Sequence, residues 1–272
     1  MNKFHENFQL RKYNENYKEV NNKYFIIGTQ KSGTTWLRDC LGEFVDIVKP
    51  EWYYVEIFRY ISDHIGKFGA ALPIEKREAL IDSLCLATWQ IVNEGVPCEK
   101  SAYPCVDGAG PLRSDVHPYA VREIRRRMPS ARIVVIVRDP RSVFNSLCHY
   151  LDNMRKGWSA ELDPKVFSEN WAMQNLQWIA DGPDSVVFYE RLKSEFQLTL
   201  GGALSALEIA ATSADLARAE SAVYSVDKLR PRQPEIYRTG TVDEWRVRLD
   251  PRIIEVITNA AGDTMRRFGY EI

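Results

Sequence analysis

Short β-branched and aromatic runs alternate along this chain with longer segments whose apolar residues recur every three or four positions, which predicts a succession of strands and helices. Three runs read as buried parallel strands: Tyr24 to Gly28 (YFIIG), Ala131 to Arg138 (ARIVVIVR) and Ser185 to Tyr189 (SVVFY). Pro97 to Ser101 is a weaker fourth. Helical patterns cover Thr34 to Phe44, Pro73 to Asn93, His117 to Arg127, Arg141 to Leu151, Pro164 to Ala180, Leu192 to Ala210 and Pro251 to Phe268. This order predicts a single α/β domain over residues 23–272, with a mostly parallel sheet flanked by helices and ligands at the carboxyl ends of the strands. Leu229 to Glu244 is rich in Pro, Arg and Thr and reads as a loop, and residues 1–22 read as a polar extension.

Composition adds bounds. A chain of 272 residues with 45% hydrophobic residues can bury a sizeable core. The N-terminal stretch holds no apolar run of signal or membrane length, so a cytoplasmic protein without membrane partners is expected. The net charge of −1 gives no general attraction to nucleic acid, although a local basic cleft is compatible with it. Cys40, Cys85, Cys98, Cys105 and Cys148 form no metal-ligand spacing and read as buried free thiols.

Candidate chemistry begins where the first strand ends. Gly28 and Gly33 in YFIIGTQKSGTTW have the spacing of the two glycines of a Walker A loop, which lets backbone N–H groups and a helix N-terminus face an anion. A triphosphatase needs Lys directly after the second glycine; here that position is Thr34, and the loop lysine is Lys31. The displacement argues against ATP hydrolysis.

The segment Lys31-Ser32-Gly33-Thr34-Thr35-Trp36 resembles the 5′-phosphosulfate loop of sulfotransferases that use 3′-phosphoadenosine 5′-phosphosulfate, PAPS. The resemblance extends along most of the chain. Arg138 at a strand end, with Ser146 eight residues later, is similar to the family's 3′-phosphate-binding segment; an Arg suits it because its planar fork grips phosphate bidentately. Arg238-Thr239-Gly240 resembles the loop that closes over the same phosphate, with Thr239 where many members have Lys. Tyr189 and Glu190 resemble the Tyr-Glu-Asp-Leu element, and the resemblance implies adenine contacts for Tyr189 and Trp36. For either aromatic taken alone, core packing is the more economical reading.

On the acceptor side, Ala102 stands where cytosolic phenol and steroid sulfotransferases carry a catalytic His, whereas Glu99-Lys100-Ser101-Ala102-Tyr103 resembles a heparan-type segment. That resemblance implies that Lys100 lies near the transferring sulfuryl group and that Glu51 is the general base, with His149 as the alternative base. It further implies that Lys31 acts on the leaving oxygen and that Ser146 holds Lys31 off until substrates are bound. No metal is called for, because PAPS has no β/γ-phosphates to bridge. Trp52, Tyr53, Tyr54, Phe58 and Tyr60 either line an acceptor pocket or belong to the core. His117 reads as a capping or solvated residue, and the run Arg122 to Arg127 as a solvated helix face.

The acceptor expected is an intracellular small molecule bearing a hydroxyl or amine, with a saccharide as the alternative. The competing readings are a nucleotide or small-molecule kinase on the same architecture and a nucleotide-binding protein without catalysis.

Overall fold

The computed structural model describes residues 23–47, 54–69, 71–92, 98–106, 116–154, 156–223 and 241–272. Four strands, β1 (Tyr24–Thr29), β2 (Cys98–Tyr103), β3 (Arg132–Val137) and β4 (Ser185–Phe188), form one sheet in the order β2-β1-β3-β4. Every pairing is parallel. The β1 strand is buried throughout, as a central parallel strand covered on both faces must be.

Alternation divides the sheet between two cores. Phe25, Ile27, Ile133, Val135 and Val137 face one side, where α2 (Tyr54–Phe68), α3 (Ile74–Val92), α4 (Ala120–Arg127), α5 (Pro140–Met154) and α6 (Pro164–Ala180) pack. Tyr24, Ile26, Val134, Ile136 and Val187 face the other, covered by α1 (Thr34–Leu41), α7 (Tyr189–Ser194), α8 (Phe196–Ala206) and α9 (Ser213–Val223). A helical turn, α10 (Trp245–Arg248), leads into α11 (Pro251–Arg267), which packs on α6.

Where a helix starts at an Asp-Pro pair, the sequence located it well. Asp163 caps α6 by accepting from the Lys165 and Val166 N–H groups, and Asp250 caps α11 through the Arg252 N–H; in each case Pro fills the first turn, where no N–H is required.

Several expectations are corrected. The pattern from Leu192 to Ala210 is two helices, because Glu195 at φ −133° and ψ 53° breaks the run between α7 and α8. Among the described residues, helices α2 and α9 and the helical turn α10 went unpredicted. Tyr54 and Phe58 are core residues of α2, whereas Tyr60 is exposed and stacks on His64. The Arg122 to Arg127 run is a solvated face only in part: Arg122 and Arg126 are exposed, with Arg122 paired to Asp181, whereas Arg125 pairs with Asp184 and Arg127 is buried and donates to Glu78, Asp82 and Ser62, tying α4 to α3 and α2. Nor is His117 solvated. It is buried, edge-on to Tyr103 at 5.2 Å, and its carbonyl accepts from the Trp178 indole.

All five cysteines are free thiols, four of them buried and Cys148 partly so. Among the described residues no helix is long and apolar enough to cross a membrane.

Phe25 anchors the larger core, fully buried with its ring 4.5 Å from Trp89 and 6.1 Å from Tyr54. Phe25→Ala is expected to lower unfolding free energy by about 3–5 kcal/mol, measured by denaturant titration. A loss under 1 kcal/mol would mean that the surrounding rings do not pack as described.

Candidate active site

The turn after β1 uses two glycines for different reasons. A methyl group on Gly28 would lie 2.7 Å from Ser32 Oγ and 2.8 Å from Ile136 Cγ2 and Thr34 Cγ2, so the loop folds back on its strand only with hydrogen there. Gly33 lies in the left-handed region at φ 98°, and a Cβ there would come within 2.5 Å of Tyr189 Cδ2. Lys31 is also left-handed, at φ 69°, a conformation that a non-glycine residue keeps only where its surroundings impose it. The surroundings are specific. Ser32 N–H donates to the Thr29 carbonyl at 3.1 Å, and the Arg138 guanidinium donates to the Lys31 carbonyl at 3.1 Å.

Gly33 is the N-cap of α1 and no side chain caps this helix. Its first-turn N–H groups therefore lack intrahelical acceptors and present the positive end of the helix dipole. Ser32 Oγ and Thr29 Oγ1 are buried beside them with no hydrogen-bond partner. An uncapped helix start with incompletely bonded buried hydroxyls is suited to an anion that would complete those bonds.

Cations converge on the same place from different elements. The register pairs Lys100 with Ile26, so β2 directs Lys100 to the α1 face of the sheet, where its ammonium donates to Thr35 Oγ1 at 3.3 Å although the residue is buried. Arg138 follows β3 and lies over the Tyr189 ring, 4.2 Å from its centroid. The Lys31 ammonium lies over the Tyr150 ring at 4.6 Å. Thus the structure brings Lys31, Ser32, Gly33, Thr34, Thr35, Lys100 and Arg138 together, so that cations are gathered at one place in a chain of net charge −1.

Trp36 and Tyr189 meet edge to face at 5.5 Å, and the Trp36 indole N–H donates to the Val223 carbonyl at 3.4 Å. Both are largely buried. They belong to the second core and also form the wall beside Arg138, so packing and ligand contact are compatible duties here.

Ser146 and His149 lie on α5, both part-exposed, one turn apart. His149 Nε2 accepts from the Asn153 amide at 3.0 Å, which occupies the lone pair that the neutral ring would use as a base. Glu51, Arg238, Thr239 and Gly240, with Trp52 and Tyr53, lie outside the described residues. Among the described residues no group of three or more His, Cys, Asp or Glu side chains is placed to hold a metal ion.

Three neighbours, Lys193, Tyr150 and Arg141, were not singled out from the sequence, and Glu190 was named there only as part of its motif. Lys193, one helical turn past Tyr189, places its ammonium over Trp36 at 5.0 Å; burial, then the charge of Arg138, push its pKa down. Tyr150 lies four residues past Ser146, on the same helix face. Glu190 accepts the Asp139 N–H at 3.0 Å on one oxygen and the Tyr270 hydroxyl at 3.1 Å on the other. Arg141 closes the loop by binding Asp139 and the Glu271 carbonyl. Helical spacing was a usable signal for Lys193 and Tyr150. Nothing local in the sequence announces a partner 80 residues away, as Tyr270 is from Glu190.

Gly33→Ala places a methyl group against Tyr189 in a left-handed residue and is expected to cost about 1–3 kcal/mol of stability, read by denaturant unfolding; an unchanged midpoint would refute the close approach. Burial raises the Glu190 carboxyl above its ordinary range, partly countered by the Asp139 N–H. The folded state therefore holds that proton more tightly than the unfolded state, and the associated stability is lost as pH rises through the folded pKa. Relative to Glu190→Gln, the wild type should lose stability as pH rises above the ordinary glutamate pKa of about 4.3, and a pH-independent difference would contradict that burial.

Comparison with known proteins agrees with this fold. No curated protein matches the sequence. Among solved structures, mouse sulfotransferase SULT7A1 complexed with PAP aligns at 18% identity and TM-score 0.58, over 90% of this chain and 85% of that one. The sulfotransferase domain from the curacin biosynthetic pathway aligns at 16% identity and TM-score 0.55, over 92% and 98%. Retinol dehydratase in complex with androsterone and PAP aligns at 14% identity and TM-score 0.51, over 93% and 82%. At these identities the likeness is one of fold. The sulfotransferase family model matches residues 24–213, from the first residue of β1 to the start of α9, and by that match the chain belongs to the sulfotransferase family.

Proposed function

We propose that this protein moves the sulfuryl group from PAPS to a hydroxyl or amine of a small-molecule acceptor and releases adenosine 3′,5′-bisphosphate. One observation carries the reading: the uncapped start of α1, with its unpartnered Ser32 hydroxyl, faces Lys31, Lys100 and Arg138 but has Thr34 in the place of a triphosphatase lysine. Such a site suits a nucleotide with one phosphate at its 5′ end and a second anion elsewhere. The PAP in the SULT7A1 and retinol dehydratase structures, and the androsterone in the latter, support the donor and the acceptor class.

In this reading the N–H groups of Gly33 to Trp36 hold the 5′-phosphate. Arg138 grips the 3′-phosphate with Ser146, joined by Arg238, Thr239 and Gly240, while Trp36 and Tyr189 flank the adenine. The acceptor oxygen or nitrogen attacks sulfur as the bond from sulfur to the phosphate oxygen breaks. Lys31 neutralises the charge that builds on that leaving oxygen, and Lys100 stabilises the sulfuryl oxygens. Glu51 takes the acceptor's proton. His149 ranks behind it because Asn153 already donates to its Nε2 atom. Ala102 at the cytosolic His position supports a heparan-type reading of the acceptor side over the phenol type.

Calorimetric titration tests the donor site. Adenosine 3′,5′-bisphosphate is expected to bind at least about tenfold more tightly than AMP, and Arg138→Ala should erase most of that preference. Preference for ATP with Mg²⁺ would overturn the reading in favour of a kinase. In acceptor screens with PAPS, Lys31→Ala should lower turnover by about 10²-fold or more, and wild-type rates in that variant would refute its role at the leaving oxygen.

A further inference from the structure

The peptide that follows Arg138 is held by a residue from the far end of the chain. Glu190 accepts the Asp139 N–H at 3.0 Å on one carboxylate oxygen and the Tyr270 hydroxyl at 3.1 Å on the other. Tyr270 lies beyond residues 24–213, the span over which the family model matches. We propose that Glu190 and Tyr270 are positioning residues: they fix where Arg138 can meet a ribose phosphate, and so let the site tell a 3′-phosphate from a 2′-phosphate. The proposal rests on the donor reading above and on Arg138 as the ligand of the ribose phosphate.

Three contacts set the pose of Arg138. Its guanidinium lies over the Tyr189 ring, its Nη1 atom donates to the Lys31 carbonyl, and its main chain is anchored through the Asp139 N–H. Tyr189 and Glu190 are consecutive at the start of α7, so one dipeptide holds both the head and the root of this arginine. Part of the fork is left over: Arg138 Nε is buried and has no hydrogen-bond partner. With Nη1 engaged, the Nε side of the guanidinium is the edge that can take two phosphate oxygens side by side.

The end of α11 aims Tyr270 at Glu190. The Tyr270 N–H reaches back to the Met265 carbonyl at 2.9 Å across a left-handed Gly269, which closes the helix and turns the chain toward the sheet. The Tyr270 ring then packs edge-on to Phe188, with centroids 6.3 Å apart, and at 6.5 Å from Trp171. Arg141, engaged with the Asp139 carboxylate, also donates to the Glu271 carbonyl and ties the same segment to the turn after β3. Movement of Glu190 would leave a buried carboxylate oxygen without its hydroxyl donor, which is costly.

The 2′ and 3′ oxygens are neighbours on the ribose and their phosphates carry the same charge, so a cation attracts both isomers alike. An arginine free to swing would follow the phosphate to either oxygen. One held at its root and its head meets one position with two parallel N–H donors and the other with poorer geometry. Charge draws the nucleotide in, and the fixed pose selects the isomer.

The test is calorimetric titration of the full chain with adenosine 3′,5′-bisphosphate, adenosine 2′,5′-bisphosphate and AMP. The wild type is expected to prefer the 3′,5′ isomer over the 2′,5′ isomer by about tenfold or more. Tyr270→Phe removes the hydroxyl and keeps the packed ring, and it is expected to cut that preference about fivefold, as should Glu190→Ala. Glu190→Gln keeps a carbonyl for the Asp139 N–H and should retain most of it. General loosening of the fold would weaken both isomers together and leave their ratio unchanged. In an Arg138→Ala background, Tyr270→Phe should alter the ratio no further, because the residue through which it acts is gone. An unchanged ratio in Tyr270→Phe or in Glu190→Ala, or a fall that persists without Arg138, would overturn the proposal. A wild type that binds neither bisphosphate better than AMP overturns the donor reading and this proposal with it, whereas one that prefers both bisphosphates equally over AMP overturns this proposal alone.

Discussion

The close approach of the Tyr189 ring to the Gly33 backbone is the constraint on which the rest of the site depends. It leaves no room for a Cβ, fixes the left-handed residue that starts α1, and excludes a side-chain cap from the helix N-terminus. The same ring carries Arg138 on its face and meets Trp36 with its edge. One tyrosine thus sets the direction of the loop N–H groups and the place of the cation that serves them.

Charge is concentrated by topology. Lys31 comes from the β1 turn, Lys100 from β2, Arg138 from the end of β3 and Lys193 from the helix after β4, so each strand of the parallel sheet contributes one cation toward a common edge. Opposed charge sits behind this layer. Glu190 holds the backbone after Arg138 and the hydroxyl of Tyr270, and Asp139 is occupied by Arg141. The carboxylates thereby order the cations from behind and leave the loop side for an anion. The arrangement also explains why Arg138 does not form a strand-end salt bridge with Asp139: that carboxylate is already engaged by a bidentate neighbour two residues along.

Some features were legible because their causes are local. Buried strands show as β-branched runs, Asp-Pro pairs mark the starts of α6 and α11, and the Gly-bounded loop announces itself through residues that few other turns require. Helix α2 was missed because the aromatic run before it reads equally well as a pocket wall, and only packing against Phe25 and Trp89 assigns Tyr54 to the core. The break at Glu195 was missed for a related reason, since no Gly or Pro marks it and the chain turns there to seat Phe196 in the second core.

The sequence by itself determined the class of fold, the position of the anion loop and the displacement of its lysine, because each rests on backbone conformations and spacings within a few residues. Only the tertiary structure decided that Arg127 is a buried tie between helices, that Lys100 turns toward Thr35, that Lys31 lies on Tyr150, and that Glu190 and Tyr270 hold the backbone after Arg138. Those contacts join residues far apart in the chain. Which of a residue's faces meets which partner is fixed by strand order and register, and these become definite only when the sheet assembles.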